Sequence, residues 1–168
     1  LAGEDVTNSA PNLLQARGLA RSFQITNLFP GSSVYENVRL AAQVLEPGWR
    51  ALLPVRMSRT ARDMVDSIIA RFGLAGKATT LAGHLSHGEQ RRLEIAVCLA
   101  SRPDILLLDE PTQGMSHGDT METAALIKDL ARDVTILLIE HDIDLVMDLS
   151  RHVVVLAQGR KLAEGPPE

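Results

Sequence analysis

Asp109 and Glu110 stand together after an aliphatic run, residues 105–108, and just before Pro111. Four large aliphatic residues without alternation predict a strand buried on both faces, as in the middle of a parallel sheet. Because proline disfavours helical backbone in the residue before it, we expect the strand to end with both carboxylates at its tip. Adjacent ionised acids beside an apolar strand are costly unless a metal ion or a reaction uses them. An ordinary surface turn is the alternative interpretation.

His141 follows a second continuous apolar run, residues 134–139. A helix over residues 119–132 would connect the two buried strands, and such a strand–helix–strand unit is right-handed. Glu110 and His141 should therefore lie along one edge of the sheet, where His141 is a candidate acid, base or phosphate contact. A helix cap or a satisfied core histidine is the alternative. The predicted apolar stripe of the connecting helix consists of Met121, Ala125, Leu126 and Leu130.

Ser86 begins a third candidate site. Ser86 with Glu89 three residues later has the spacing of a capping box, which predicts a helix whose buried stripe includes Leu93 and Ala96. Ser86 and Gly88 would offer a hydroxyl, free backbone N–H groups and the positive end of a helix dipole to an anion. A plain helix cap explains the same residues equally simply.

The remaining segments provide scaffolding for these sites. Gln24 lies at the exit of a short predicted strand, residues 21–25, and a solvated amide is the alternative to any role for it. Other predicted helices cover residues 13–20, with Gly18 as a candidate C-terminal stop, 33–44 and 60–72, and two further strands cover residues 153–156 and 161–164.

Composition excludes several classes of function. The chain has 168 residues, 45% of them hydrophobic, which is enough for one sizeable core. A net charge of -4 argues against a non-specific nucleic-acid binder, which needs a basic surface. Cys98 is the only cysteine in the sequence, so no internal disulfide forms. No apolar run reaches the length of a membrane span, and any membrane role should come through a partner.

Taken in order, these motifs resemble the nucleotide-binding domain of ATP-binding cassette (ABC) transporters. The matching segments are residues 23–24 (Q-loop), 85–90 (signature motif), 105–110 (Walker B), 114–116 (D-loop) and His141 (switch histidine). More narrowly, several segments are similar to the ATPase subunits of branched-chain amino-acid importers, and the urea and amide importers are nearly as similar. These segments are residues 18–24, 91–96, 140–142, 145–147 and 163–165.

The resemblance implies an α/β fold of the P-loop NTPase type, with a parallel-sheet core and a helical subdomain. Residues 1–168 would be a partial nucleotide-binding domain, incomplete at its N-terminus. Residues 34–100 would form the helical subdomain that carries the signature motif. Residues 1–33 and 101–168 would form parts of the catalytic α/β core.

ATP hydrolysis with Mg²⁺ is the implied reaction, in which catalysis is mostly positioning and charge stabilisation. Asp109 would hold the metal, Glu110 would orient or deprotonate the attacking water, and His141 would contact the γ-phosphate. Gln24 would join the metal and the water to the permease-facing surface. In the family two such domains enclose ATP, so the signature residues would bind the nucleotide of the opposite subunit: Ser86, Gly88, Glu89 and Gln90.

The chain is thus predicted to be the ATP-hydrolysing subunit of an importer, for branched-chain amino acids in particular. Its expected partners are a second ABC ATPase subunit and transmembrane permease subunits, with no nucleic acid. It would lie at the cytoplasmic face of the inner or plasma membrane, held there by the permease. The alternatives are a non-catalytic remnant or interaction module of the ABC fold, and a soluble ABC ATPase without a transport role.

Three departures from the family pattern qualify the resemblance. No segment matches the phosphate-binding Walker A pattern, since Gly76-Lys77 is followed by Ala78. We therefore expect an N-terminally truncated chain with little ATPase activity on its own. Ser116 stands where many relatives carry the D-loop Asp, and His87 replaces a signature Gly.

Overall fold

A computed structural model describes residue 1 and residues 3–22, 28–43 and 59–167. Within these ranges the helices are α1 (Pro11–Ala16), α2 (Val34–Ala42), α3 (Arg59–Arg71), α4 (His87–Leu99), α5 (His117–Leu130) and α6 (Ile143–Leu149). Short 3₁₀ helices span Ala75–Lys77 and Ala82–His84. The strands are β1 (Leu19–Arg21), β2 (Ile105–Asp109), β3 (Thr135–Ile139), β4 (Val153–Ala157) and β5 (Arg160–Gly165).

Strands β1, β2 and β3 form a parallel sheet in the described part of the chain, with β2 in the middle. Leu106 of β2 lies opposite Ala20 of β1 and Ile136 of β3. Helix α5 connects β2 to β3, as the predicted strand–helix–strand unit requires. The predicted α/β architecture with a parallel sheet is therefore confirmed.

One buried cluster joins the sheet to α2, α3 and α4. Leu106 and Leu108 of β2 are 0% and 1% exposed, and Leu93 of α4 and Phe72 just after α3 are equally buried. Burial of an aliphatic or aromatic side chain of this size contributes about 1.5–3 kcal/mol. The cluster draws on residues from both proposed subdomains, and the boundary between those subdomains stays a prediction.

Helix α1 ends earlier than predicted. The structure has Leu19 and Ala20 in β1, not in a helix over residues 13–20. Gly18 is the reason, because its φ of +84° ends the helix and its carbonyl accepts N–H bonds from Asp104 and Ile105. The strand predicted over residues 21–25 begins two residues earlier, at Leu19, and residues 23–25 of that prediction lie outside the described ranges.

The buried face of helix α5 matches the predicted stripe only in part: Leu130 is buried and Leu126 packs against the core cluster, as predicted. The helix begins at His117, two residues earlier than expected, and Met121 is 58% exposed. The prediction counted only apolar residues, whereas Thr123 is fully buried with its hydroxyl 3.6 Å from the Met115 sulfur. The buried residues of the helix are Thr123, Ala124, Ile127 and Leu130.

Strand β3 is more open than predicted. Its apolar run suggested burial on both faces, but Leu137 and Ile139 are 58% and 56% exposed. Ile136 and Leu138, which point to the other face, pack against the core cluster. In the described part of the chain β3 thus has one covered and one exposed face.

Strands β4 and β5 form an antiparallel hairpin, which confirms the two C-terminal strands. Gln158 and Gly159 make the turn, and both have positive φ, as two-residue hairpin turns prefer. Among the helices described, none has the length and apolar character needed to span a membrane.

Candidate functional site

The turn after β2 fixes the direction of Glu110. Asp109 is the last residue of the strand, and Glu110 follows with a φ of 44°. This left-handed conformation costs about 1–3 kcal/mol in a non-glycine residue, and it persists only where its surroundings hold it. The Glu110 N–H donates to the Ile139 carbonyl at 2.9 Å, and the following Pro111 is buried. A strained residue held in this way is typical of a functional position.

Glu110 and His141 lie side by side at the carboxyl edge of the sheet. The parallel register pairs Asp109 with Ile139, which brings the residues after both strands together. His141 Nδ1 lies 3.4 Å from Glu110 Oε1, and the imidazole is 70% exposed. The predicted placement of the two side chains along one edge is therefore confirmed. A carboxylate beside an exposed imidazole can orient or deprotonate a water molecule.

Glu140 and Thr112 form a second link between the two strand ends, which the sequence did not reveal. The Glu140 side chain has no solvent exposure, and its Oε1 accepts from the Thr112 hydroxyl at 2.6 Å and backbone N–H at 3.2 Å. Its Oε2 accepts from the His141 N–H at 3.2 Å. The only signal was its position next to His141. Glu140 fixes the backbone from which the imidazole projects.

Asp109 and Glu110 provide the oxygen donors that a magnesium ion would use. Asp109 Oδ2 lies 3.2 Å from Arg21 Nη2, and Glu110 Oε2 is a buried oxygen without a hydrogen-bond partner among the described residues. Within those same ranges no group of three or more His, Cys, Asp or Glu side chains could hold a metal. Because Mg²⁺ in phosphate sites uses one or two protein carboxylates and completes its shell with phosphate oxygens and water, this donor set fits it. Gln24, the other predicted ligand, lies outside the described residues.

The start of α4 is built as predicted. Ser86 is its N-cap and forms a capping box with Glu89: Ser86 Oγ accepts from the Glu89 N–H at 3.3 Å, and the Ser86 N–H donates to Glu89 Oε2 at 3.0 Å. The Gln90 amide donates to the carbonyls of Ala82 and Leu85. Gly88 is buried against Asp119 of α5. In the described structure these groups organise the helix start, and their predicted nucleotide contacts remain predictions.

Lys77 compensates the negative charge of Glu89 at this helix start. Its Nζ forms an ion pair with Glu89 Oε1, and the Glu89 side chain is mostly buried. The hydrogen bond from Lys77 lowers the pKa of Glu89 below its ordinary value. Glu89 is therefore a compensated anion, which reduces its repulsion of a phosphate at the same helix terminus.

Arg91, also missed as a site residue, connects α4 to the end of β2. Its guanidinium is buried and donates to the backbone carbonyls of Asp109 and Glu110 at 2.7 and 3.0 Å. The sequence gives no signal for this role of Arg91, because the role depends on carbonyl partners from a distant segment. The helix of the signature motif and the strand of the acidic pair are thus in direct contact.

Comparison with known proteins agrees with this arrangement. The ABC transporter family matches residues 1–113. The chain is 38% identical to the high-affinity branched-chain amino acid transport ATP-binding protein BraF of Pseudomonas aeruginosa, over 100% of this chain and 69% of that protein. It is 42% identical to the corresponding protein LivG of Escherichia coli, over 90% of this chain and 62% of that protein. The chain thus spans about two thirds of the length of these relatives.

Solved structures share the fold. A nucleotide-free ATP-binding cassette from an ABC transporter superposes with a TM-score of 0.81 at 26% identity, over 98% of this chain and 67% of that one. The ADP conformation of an ATP-binding cassette gives a TM-score of 0.81 at 27% identity, over 97% of this chain and 66% of that one. The sequence match, the parallel sheet and the acidic pair at the end of β2 agree, and the chain belongs to the ABC transporter family.

Proposed function

We propose that this chain is part of the ATP-binding, ATP-hydrolysing subunit of an importer for branched-chain amino acids. The observation that carries the proposal is the juxtaposition of Glu110 and His141, with one Glu110 oxygen buried and left for a ligand. The relatives named above, which are branched-chain amino acid transport ATP-binding proteins, support the choice of solute.

In the proposed mechanism each residue at the sheet edge has one task. Glu110 holds the attacking water through its carboxylate and accepts a proton from it, while Glu140 keeps the backbone of His141 in place. His141, which is largely exposed, donates to the γ-phosphate. Asp109 and Gln24 would hold Mg²⁺, which would supply neutralisation of the phosphate charge. Positioning and electrostatic stabilisation account for most of the rate.

The signature residues act on a second nucleotide in this proposal. Ser86 and Gly88 face the phosphates bound by a partner ATPase subunit, with Glu89 and Gln90 supporting the helix start. Transmembrane permease subunits hold the pair at the cytoplasmic face of the membrane. ATP-driven closure of the pair moves the permeases, and solute crosses.

Glu110→Gln tests the proposal in the complete protein that carries this sequence, assembled with its permeases in proteoliposomes. Amide replacement keeps the size but removes the base, and we expect ATP hydrolysis to fall at least about a hundredfold while ATP still binds. Glu164→Gln, a change in the exposed hairpin, is the control. Unchanged turnover in Glu110→Gln would remove Glu110 from its role. Absence of hydrolysis by the unmodified assembly would favour a non-catalytic module instead.

Solute choice is tested in the same proteoliposomes. With the matching binding protein present, leucine, isoleucine or valine should stimulate ATP hydrolysis and accumulate inside. Stimulation by other solutes alone would leave the ATPase assignment intact and reject the branched-chain one.

A further inference from the structure

Arg91 forms a clamp on the turn that carries Glu110. Its Nη2 donates to the carbonyls of Asp109 at 2.7 Å and Glu110 at 3.0 Å, and its Nε reaches the Pro111 carbonyl at 3.4 Å. Its Nη1 donates to Glu94 Oε2 at 2.7 Å, one helical turn along α4. One side chain therefore contacts three consecutive carbonyls of the turn.

Burial makes this clamp stiff. The side chains of Arg91 and Glu94 are 8% and 7% exposed, so the guanidinium is shielded from water, which would otherwise compete for its hydrogen bonds. Hydrogen bonds from a charged donor are stronger than neutral ones, and the planar fork of arginine fixes their directions. Glu94 compensates the buried charge, as such a charge requires.

The clamped turn contains the strained residue of the site. Glu110 has a φ of 44°, and its two peptide neighbours are Asp109 and Pro111, both bonded through their carbonyls to Arg91. A left-handed non-glycine residue relaxes unless its neighbours hold it. Rotation of this backbone would redirect the Glu110 carboxylate away from His141.

We propose that Arg91 is a positioning residue for ATP hydrolysis: it holds the Asp109–Pro111 turn so that the Glu110 carboxylate points at the attacking water. This inference rests on the proposed function. It also gives α4 a second role, because the helix that begins with the signature residues sets the geometry of the catalytic base in its own subunit.

The chain supplies a matched control at the next position. Arg92 lies on the same helix, and its side chain is 12% exposed, but it extends toward α5, where Nη1 pairs with Glu122 at 2.7 Å and lies 3.7 Å from Asp119. The Glu122 side chain is 69% exposed. Removing either arginine deletes one charge from α4, and only Arg91 contacts the turn of Glu110.

Arg91→Lys in the complete, permease-bound assembly is the first test. Lysine keeps the charge near Glu94, but its single ammonium nitrogen, with three N–H donors, cannot bond Glu94 and the three carbonyls together. We expect kcat to fall at least about tenfold with KM for ATP changed less than about twofold, and Arg92→Gln to leave both within about twofold. Equal kcat values for Arg91→Lys and the unmodified protein would overturn the inference, as would loss of ATP binding in a variant that keeps its melting temperature.

A double variant separates positioning from general destabilisation. If Arg91 acts through Glu110, adding Arg91→Lys to Glu110→Gln should leave the residual kcat within about twofold, because the group it positions is already lost. A second loss as large as that of the single variant would contradict the inference. If the unmodified assembly hydrolyses ATP and Arg91→Lys has the same kcat, only the role of Arg91 is rejected. If the unmodified assembly does not hydrolyse ATP, the proposed function is rejected.

Should Arg91→Lys assemble poorly, Glu94→Gln gives the deciding result. This change leaves the three carbonyl bonds in place but removes the compensating charge. We expect a lower melting temperature with kcat retained in the assembled fraction. A loss of kcat as large as in Glu110→Gln would contradict the inference, because ATP hydrolysis would then depend on the compensation of the buried charge and not on the three carbonyl bonds.

Discussion

Helices α4 and α5 begin with almost the same four residues and yet occupy different surroundings. Their first residues with the preceding cap are Ser86-His87-Gly88-Glu89 and Ser116-His117-Gly118-Asp119. In both, the serine side chain accepts from the N–H of the acidic residue three positions later. Gly88 is buried against Asp119, whereas no atom of the described residues outside its own helix lies within 4 Å of where a Cβ of Gly118 would be.

The difference separates what a local motif determines from what packing determines. A serine followed by an acid caps a helix because the bonds close within one turn. The surroundings of the two helix starts differ because different elements approach them. Lys77 pairs with Glu89, and the start of α5 lies against Gly88.

A methyl group at each glycine should therefore have opposite effects, and this is the largest difference that we expect. At Gly88 an alanine Cβ would lie 2.6 Å from Asp119 Cγ and 2.9 Å from Asp119 Cβ, and rotation of Asp119 cannot move its Cβ. Gly88→Ala should lower the free energy of unfolding by about 1–3 kcal/mol, as overpacking does. Gly118→Ala should raise it by up to about 1 kcal/mol, because alanine is the better helix former.

Urea unfolding of the two variants measures these changes. Equal effects of the same sign would show that the contact between the two helix starts is not tight in solution. Gly88→Ala combined with Asp119→Ala provides a check, since removal of the Asp119 carboxylate relieves part of the clash. If the double variant gains no stability over Gly88→Ala alone, the clash involves other atoms.

The two capping serines should cost the same stability but differ in activity. Ser86→Ala and Ser116→Ala each remove one cap bond, and Ser116→Ala also removes the exposed hydrogen bond from its hydroxyl to Asp119 Oδ2; each should lower the free energy of unfolding by about 1 kcal/mol. Only Ser86 belongs to the predicted nucleotide-binding set, so we expect KM for ATP to rise in Ser86→Ala and to stay unchanged in Ser116→Ala. Steady-state ATP hydrolysis by the permease-bound assembly measures the difference. An equal rise in KM for ATP in both variants would contradict the prediction that only the start of α4 binds the nucleotide.

Local and periodic features were predictable from the sequence. The strands that end at Asp109 and Ile139, the capping box of Ser86 and Glu89, and the meeting of Glu110 with His141 all follow from patterns within a few residues and from the parallel geometry of the sheet. The family resemblance supplied the expected chemistry, and the comparison with known proteins confirms the family.

Contacts between distant segments were not predictable. Thr123 is buried although it is polar, so a stripe drawn through apolar positions of α5 omits it and includes the exposed Met121 instead. Arg91 reads as a surface charge until its carbonyl partners from β2 are known. In each case the deciding partner lies on another turn or element, and neither charge nor periodicity specifies it.

The Lys77–Glu89 pair gives the smallest expected difference between the two helix starts, and it depends on pH. Because the pKa of Glu89 is lowered in the folded protein, the pair stabilises the fold above the ordinary value of 4.5 and loses this effect as pH falls through the lower, folded value. Lys77→Met should lower the free energy of unfolding at neutral pH by less than about 1 kcal/mol, since Lys77 is half exposed. It should also make the free energy of unfolding fall less steeply as the pH drops below 4.5. Urea unfolding from pH 3 to pH 7, an interval of about 4 units around that value, measures both effects. Lys128→Met, which removes a pair with two largely exposed side chains, is the control, and an equally steep acid decline in Lys77→Met would mean that the pair does not set the charge of Glu89.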